Sequence, residues 1–435
     1  MNNHLREAHA HLFSHGRSLA MPSLAACQGA DDCLAIARDA ARRERARADP
    51  GWALLVGARL ESWTSPGAGP SGWPTLRQLD EATGPVPCIA MSFDHHMVMA
   101  NSAALWAAGF ASGKQAPPGG VIDRDDGGNP TGMLLETAAW VAWNAAPDPT
   151  PDQRRDLVRH ALRDLASLGY AQVHDMHSQP WLGQLLSELS DAGELPVSVW
   201  LYPAVDHLKE MAQAAAHWSR PAIRLAGGKI FVDGTLNSRT AWMLHPFEHP
   251  QPGLESGKIV TPPAAIESAL RTCSEAGVGL AAHAIGDGAV RACLNALEKL
   301  RTIGALPARR AEFPQLRIEH AEIIDAQDVP RFARLGAVAS VQPCHLLADI
   351  EALRRYLPHR LDRVLPLREL IDAGCTPGEL LWFGSDVPIV RADPADSIQA
   401  AVHRRRPGSH DTEAIAPTQA ISEQEAWACF SPRER

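Results

Sequence analysis

Two histidines one residue apart, His9 and His11, are the first residues of this chain that could do chemistry together. On an extended strand alternate side chains share a face, so two imidazoles at this spacing can converge on one metal ion. With 19 histidines in the chain, one such spacing proves little by itself. Three more ligand types sharpen it. His283 follows the apolar run 278–282, His320 closes the run 316–319, and Asp386 follows 381–385. Each stands at the C-terminal end of a predicted strand, where a barrel collects its active-site side chains. Any one of them reads equally well as a hydrogen-bonded strand-end residue. Four strands in order, all ending in imidazole or carboxylate, point to a divalent-cation site of one or two ions, Zn²⁺ by ligand type or a similar metal.

Lys229 lies in the apolar stretch Gly228-Lys229-Ile230-Phe231-Val232, which reads as a central strand. Burial disfavours an ammonium and lowers its pKa. The neutral amine can add CO2, and the resulting carbamate is an anionic oxygen ligand able to bridge two metals. The plain alternative is a lysine paired with Asp233 or Asp386, or one that snorkels to solvent.

These residues need a scaffold that brings distant strands to one rim. Strand-like runs at 170–174, 197–202, 223–232, 277–282, 316–320, 337–342 and 380–383 alternate with amphipathic stretches at 151–168, 263–276 and 288–303. Such alternation predicts parallel strands joined by helical crossovers. Seven strands are readable, and an eighth is expected near 7–12, although 2–8 is polar for a buried strand. The fold expected is α/β, a (β/α)8 TIM barrel formed by 1–15 and 151–435. Residues 16–150 break the alternation and are expected to be a large cap inserted after the first strand, over the barrel mouth. Within them 31–48 and 102–108 read as helical, 52–60 and 86–93 as strands, and 65–74 as a turn-rich loop.

Composition narrows the function classes. The chain has 435 residues, a formal net charge of −9 and no long basic run. Neither nucleic acid nor an anionic membrane is therefore expected as a partner. The cluster Arg404-Arg405-Arg406 reads as a solvated helix end or loop. Eight scattered cysteines without a CxxC pair suggest reduced, buried thiols and a cytoplasmic protein. Neither a signal peptide nor a membrane span is read.

Several motifs together resemble one family. HAH at 9–11, GGKIFVDGTLNSRTA at 227–241, HAIGDGAV at 283–290, RIEHAEII at 317–324 and FGSDVPI at 383–389 are similar to the amidohydrolase superfamily. They are nearest its YtcJ-like branch, which includes N-substituted formamide deformylases. DHHMVMANSAAL at 94–105, GGVIDRDDGGNPTGMLLE at 119–136 and GYAQVHDM at 169–176 carry the resemblance further. It implies that His9 and His11 bind the more buried metal, that Lys229 bridges as a carbamate, and that His283 and His320 bind a second metal. Asp386 would contact metal and take a proton from water, with His283 or His320 polarising the substrate carbonyl. His96 and Asn101 are expected to reach the substrate, and Arg239 and Trp242 to line its pocket, Arg239 alternatively pairing with Asp233 or Asp287. Glu136, Asp175 and Asp233 read as supporting groups, and Asp287 as a cap for the helix that follows it. The family usually adds a small flanking β-sandwich, for which this sequence leaves no room. The implied activity is hydrolysis of a non-peptide C–N bond of amide or formamide type in a small molecule, in a chain that could form a homodimer. An esterase or lactonase on the same site, or a ligand-binding descendant without catalysis, are the alternatives.

Overall fold

The computed structural model describes residues 4–47, 51–60, 63–64, 72–93, 97–110, 114–118, 120–250, 253–306 and 313–432. Its contacts divide the chain into two compact units. One is Met1–His15 with Val158–Arg435, and the other is Gly16–Leu157. The expected boundaries, 15/16 and 150/151, compare with 15/16 and 157/158.

The first unit is α/β and its strands are parallel, as the alternating pattern implied. One sheet runs Leu5–Ala10, Tyr170–Met176, Ser198–Tyr202, Ile223–Leu225, and the other Gly227–Phe231, Gly279–Ala284, Leu316–His320, Val338–Val341, Leu381–Phe383. The single run expected at 223–232 is thus broken at Ala226, whose amide bonds Leu201 O. Backbone hydrogen bonds join segments of the two sheets at two places. Lys229 N donates to Pro203 O at 2.7 Å, Asp386 N to His9 O at 2.7 Å, and His11 N to Val387 O at 3.0 Å.

Strands buried on both sides read as unbroken apolar runs, and Gly279–Ala284 is buried at every residue. Helices pack on their outer side through residues at 3.6 spacing. In Asp287–Thr302 the buried set includes Val290, Cys293, Leu294, Leu297 and Leu300. The inner side carries a charged residue instead. Arg317 is fully buried, with its guanidinium 4.7 Å from the Tyr202 ring and 5.0 Å from the Trp382 ring.

The polar first strand has a physical explanation. Leu5–Ala10 is buried beyond Leu5, and segments far along the chain supply part of the partnering its charged residues need. Arg6 Nη2 donates to Cys429 O, and its guanidinium sits 4.1 Å over the Trp382 ring. Glu7 Oε1 accepts from the amides of His9 and Ser385, each at 2.9 Å.

Two smaller expectations are corrected. Arg404 is not solvated: it is fully buried and donates to Ile415 O and Val364 O. Asp287 caps no helix through its side chain. It accepts instead from Leu244 N and from Arg360.

The second unit is a five-stranded mixed sheet in the order Ala53–Ala58, Cys88–Ser92, Met97–Ala100, Pro130–Glu136, Gly120–Arg124. It has its own cores, one around Leu55, Trp73 and Leu79 and one around Ile89, Phe110 and Leu134. The helices expected at 31–48 and 102–108 are Ala30–Arg45 and Ser102–Ala107. Most of 65–74 lies outside the described residues. All eight cysteines are free and buried, and no helix among the described residues is long and apolar enough to cross a membrane.

Candidate metal centre

The expected histidine and aspartate ligands stand at or just past the C-terminal ends of strands, whereas Lys229 is the middle residue of Gly227–Phe231. His9 and His283 are each the fifth residue of a six-residue strand, His11 follows the first of these, His320 closes Leu316–His320, and Asp386 follows Leu381–Phe383. Parallel register sets the neighbours side by side, Phe231 opposite His283 and Ala284 opposite His320. The rings converge. His9 and His11 centroids are 5.5 Å apart, His9 and His320 5.0 Å, and His283 and His320 4.5 Å. Asp386 Oδ1 lies 3.0 Å from His11 Nε2 and 3.3 Å from His9 Nε2. His9, His11 and Asp386 thus offer three ligand atoms within 4.8 Å of one another.

Two of these side chains sit on strained backbone. His320 has φ 72° and Asp386 φ 64°, values uncommon for residues with a Cβ and concentrated at functional sites. In a regular strand Glu319 and His320 would face opposite ways. The left-handed turn at His320 breaks that alternation.

Hydrogen bonds settle which ring nitrogen each histidine presents. His9 Nδ1 is 2.8 Å from Glu319 Oε2. Glu319 is held well below the usual carboxylate range because the charge of Arg317, with the His9 hydrogen bond, outweighs the burial that would raise it. An ionised carboxylate only accepts, so His9 donates from Nδ1 and presents Nε2. Met176 O accepts from His11 Nδ1 at 2.7 Å, leaving its Nε2 facing Asp386. His283 donates from Nε2 to Gly234 O at 3.1 Å, which leaves Nδ1 as its lone-pair nitrogen.

Burial governs the charges. It pushes His9 down to about 4 and His283 down to about 3, with the Lys229 charge adding in each case, and it holds His320 well below its usual value. His11 goes the other way: burial opposes its charge, but the hydrogen bond and charge of Asp386 outweigh burial and raise it. Burial also penalises the Asp386 carboxylate, yet the charges of His9 and His11 hold it well below the ordinary range. Lys229 is lowered to about 8 by burial. Its Nζ is buried without a hydrogen-bond partner, 5.3 Å from the Phe231 ring. Neither Asp233 nor Asp386 forms an ion pair with it among the described residues.

Supporting residues fill the surroundings. Asp233 Oδ1 accepts from Ile285 N, and Oδ2 from Gly286 N and Trp242 N, which ties the loop after Gly227–Phe231 to the His283 strand end. Asp175 accepts from Leu12 N and anchors the segment carrying His11. Arg239 pairs with neither Asp233 nor Asp287. It donates to His249 O and lies 4.9 Å over the Tyr356 ring. Trp242, half-buried, is engaged through its backbone with Asp233 and with Gly288 N.

In the second unit the Asn101 amide is fully spent: Oδ1 accepts from Cys88 N and Ala104 N, and Nδ2 donates to Thr83 Oγ1 and Val86 O. It caps the helix Ser102–Ala107. His96 lies outside the described residues. Glu136, with φ 54°, precedes the helix Thr137–Trp143 without capping it.

One site residue escaped the sequence reading. His345 lies in the first turn of the helix Pro343–Tyr356, its Nε2 3.1 Å from Ser385 O and 3.9 Å from Asp386 Oδ2. With His320 and Asp386 it forms a second group of three potential ligands within 4.8 Å. The available signal was its place in Gln342-Pro343-Cys344-His345, directly after the strand Val338–Val341. Glu319 and Arg317 carry no such signal, since strand alternation sets Glu319 on the face opposite His320.

Known proteins resemble the chain along most of its length. YtcJ of Bacillus subtilis (strain 168) is 29% identical over 412 residues, 93% of this chain and 73% of that protein. N-substituted formamide deformylase of Arthrobacter pascens is 27% identical over 373 residues, 82% of this chain and 66% of its own length. An uncharacterised metal-dependent hydrolase from Pyrococcus horikoshii OT3 shares the fold, with a TM-score of 0.76 at 24% identity over 97% of this chain and 78% of that one. The motifs pointed to this group before any geometry was known, and the match to the family extends over residues 5–433, from the strand of His9 past the last helix. This chain belongs to the amidohydrolase family.

Proposed function

We propose that the chain is a metal-dependent hydrolase that cleaves a non-peptide C–N bond, of amide or formamide type, in a small molecule. In this reading the two parallel sheets close as a (β/α)8 barrel with the histidine cluster at one rim. The observation that carries it is the convergence of His9, His11, His283 and His320 around Asp386, next to a buried lysine amine with no partner. A buried amine without a partner is costly as a mere structural feature, and the donor set is the kind that Zn²⁺ takes.

His9, His11 and Asp386 would hold one ion, and His283 and His320 a second. Lys229 would join them: at a pKa of about 8 a useful fraction is neutral near neutral pH and open to CO2. When bound, the cation supplies Lewis acidity that makes water nucleophilic near neutral pH and polarises a carbonyl. The protein's own groups handle the protons and the fit. Asp386, ionised at neutral pH, accepts a proton from the attacking water and passes it to the leaving nitrogen. Burial keeps His283 and His320 neutral; the single N–H of His283 is taken by Gly234 O, so His320, where free of metal, is the one that would donate a hydrogen bond to the carbonyl oxygen as charge develops there. Arg239 and Trp242, on the segment after Lys229, would line the acyl side.

The test combines metal analysis with turnover of a panel of formamides, acyl amines, esters and lactones. One or two Zn²⁺ per chain and preference for C–N substrates are expected. Asp386→Asn should lower kcat by about 100-fold or more with metal still bound. Unchanged turnover in that variant, or a protein that takes up no divalent metal, would sink the reading.

A further inference from the structure

Beside His320 lies a small cavity that neither metal nor proton transfer uses. It measures about 10 Å³ and is lined by His320, Glu322, Gln342, His345, Leu346 and Leu365. That volume suits one water-sized group. Two oxygens on its walls have no hydrogen-bond partner, Glu322 Oε1 and Gln342 Oε1, on side chains only 7% and 3% exposed. The Gln342 amide cannot be turned over to escape this. Its Nε2 donates to Ser340 O at 3.2 Å, and a carbonyl accepts only, so Oε1 stays on the unpartnered side.

The surroundings are acid-rich. Asp349, buried and held by Asn237 Nδ2 at 2.6 Å, bears on Glu322 as a like charge, and Arg404 is the opposing cation. Buried acceptors are normally paired, so two unpartnered oxygens on one cavity describe a place for a donor. The cavity adjoins the reacting centre, since His320 and His345 line it and His345 Nε2 is 3.9 Å from Asp386 Oδ2.

We propose that Glu322 and Gln342 form a subsite for a nitrogen carrying two or more N–H donors, an amino or ammonium group no larger than the cavity. In the substrate this group would be the leaving nitrogen, which gains its last N–H from Asp386. That placement rests on the hydrolase reading, whereas the binding itself rests on the cavity alone. The subsite favours unsubstituted or singly substituted nitrogen and rejects nitrogen without N–H groups.

The test is calorimetric titration of the metal-loaded protein with ammonium, methylammonium and tetramethylammonium chloride. Ammonium and methylammonium should bind, and tetramethylammonium, which has no donor, should not. Glu322→Gln, which sets a donor where an acceptor stood, should weaken ammonium binding about tenfold or more. Gln342→Glu, which keeps an acceptor and adds charge, should retain or tighten it. A structural role alone would not give opposite signs. If Glu322→Gln does not fold, Gln342→Leu removes the other acceptor and should weaken ammonium equally. The proposal is overturned if ammonium does not bind, if its affinity is unchanged in Glu322→Gln and Gln342→Leu, or if tetramethylammonium binds as well; the cavity would then hold a structural water only. Ammonium binding needs no turnover, so the two readings fail separately. Binding that depends on Glu322 in a protein that hydrolyses nothing removes the hydrolase and keeps the subsite. Hydrolysis without ammonium binding does the reverse.

Discussion

Glu319 influences the centre without belonging to either group of potential ligands. It fixes the His9 ring through Nδ1 and is itself gripped by Arg317 Nε at 2.7 Å. Arg317 in turn reaches His174 Nδ1 at 2.7 Å and Ser340 Oγ at 2.9 Å. Partners of this kind orient a ligand and raise its basicity, and their loss typically weakens metal binding by about 10–100-fold. Glu319→Gln should therefore lower metal affinity by about that factor with little change in fold, read by competition with a chromophoric chelator; unaltered affinity would remove the role. His283, His320 and Asp386 were legible in the sequence because each stands at the end of a strand-like run, and His9 and His11 because of their alternate spacing, patterns that survive without knowledge of what lies opposite. Glu319 and His345 were not. The first sits on a strand where alternation should turn it away from the His320 side, and only the left-handed backbone at His320 reconciles the two. The second lies past the strand end, in a helical turn where no periodicity marks it.

The strand Leu5–Ala10 shows how an element can defy its own composition. Read locally, Arg6 and Glu7 argue against burial. They are stable there because their partners come from the other end of the sequence, the Cys429 carbonyl and the Ser385 amide, and no local pattern announces them. Gly384 belongs to the same junction: a Cβ on it would come within 2.5 Å of His9 N and 2.6 Å of Glu7 Oε1. Glu7→Ala leaves two buried amides without acceptors and should cost about 2–4 kcal/mol in chemical denaturation. Glu7→Gln keeps an acceptor and should cost much less. The pair also carries a pH signature. Burial raises Glu7 from 4.5 to about 7, so the folded state favours its protonated form. The stability it adds is complete below pH 4.5 and is lost as pH rises through 7. Glu7→Gln, which stays neutral, should accordingly gain stability relative to the parent between pH 5 and pH 8, and an equal difference at both would refute the assignment. The crossover helices posed no such difficulty. Their apolar faces are local, and 263–276 and 288–303 were found at Pro263–Glu275 and Asp287–Thr302.

For the molecule as a whole, the proposed ions would tie together strands from both ends of the chain, so metal and stability should be linked. A cation present at 100 times its Kd contributes about 2.7 kcal/mol. Chelation should lower the Tm of the wild type and change little in His9→Ala/His11→Ala, with the loss of hydrogen-exchange protection greatest in Leu5–Ala10 and Leu381–Phe383. Uniform loss, or none, would argue that the cluster binds no structural cation. The α/β class followed from alternation that any part of the sequence displays, but the joining of the two sheets did not, because it depends on hydrogen bonds between residues as far apart as His9 and Asp386. That separation matters while the protein is being made. His9 and His11 leave the ribosome long before Ser385, Asp386 and Cys429. A nascent chain halted before the final strand would carry Glu7 with one of its two amide donors missing and an unpaired edge for a neighbouring polypeptide to occupy. Until Leu381–Phe383 and the residues after it have emerged, the strand Leu5–Ala10 stands without the partners that make its charges tolerable.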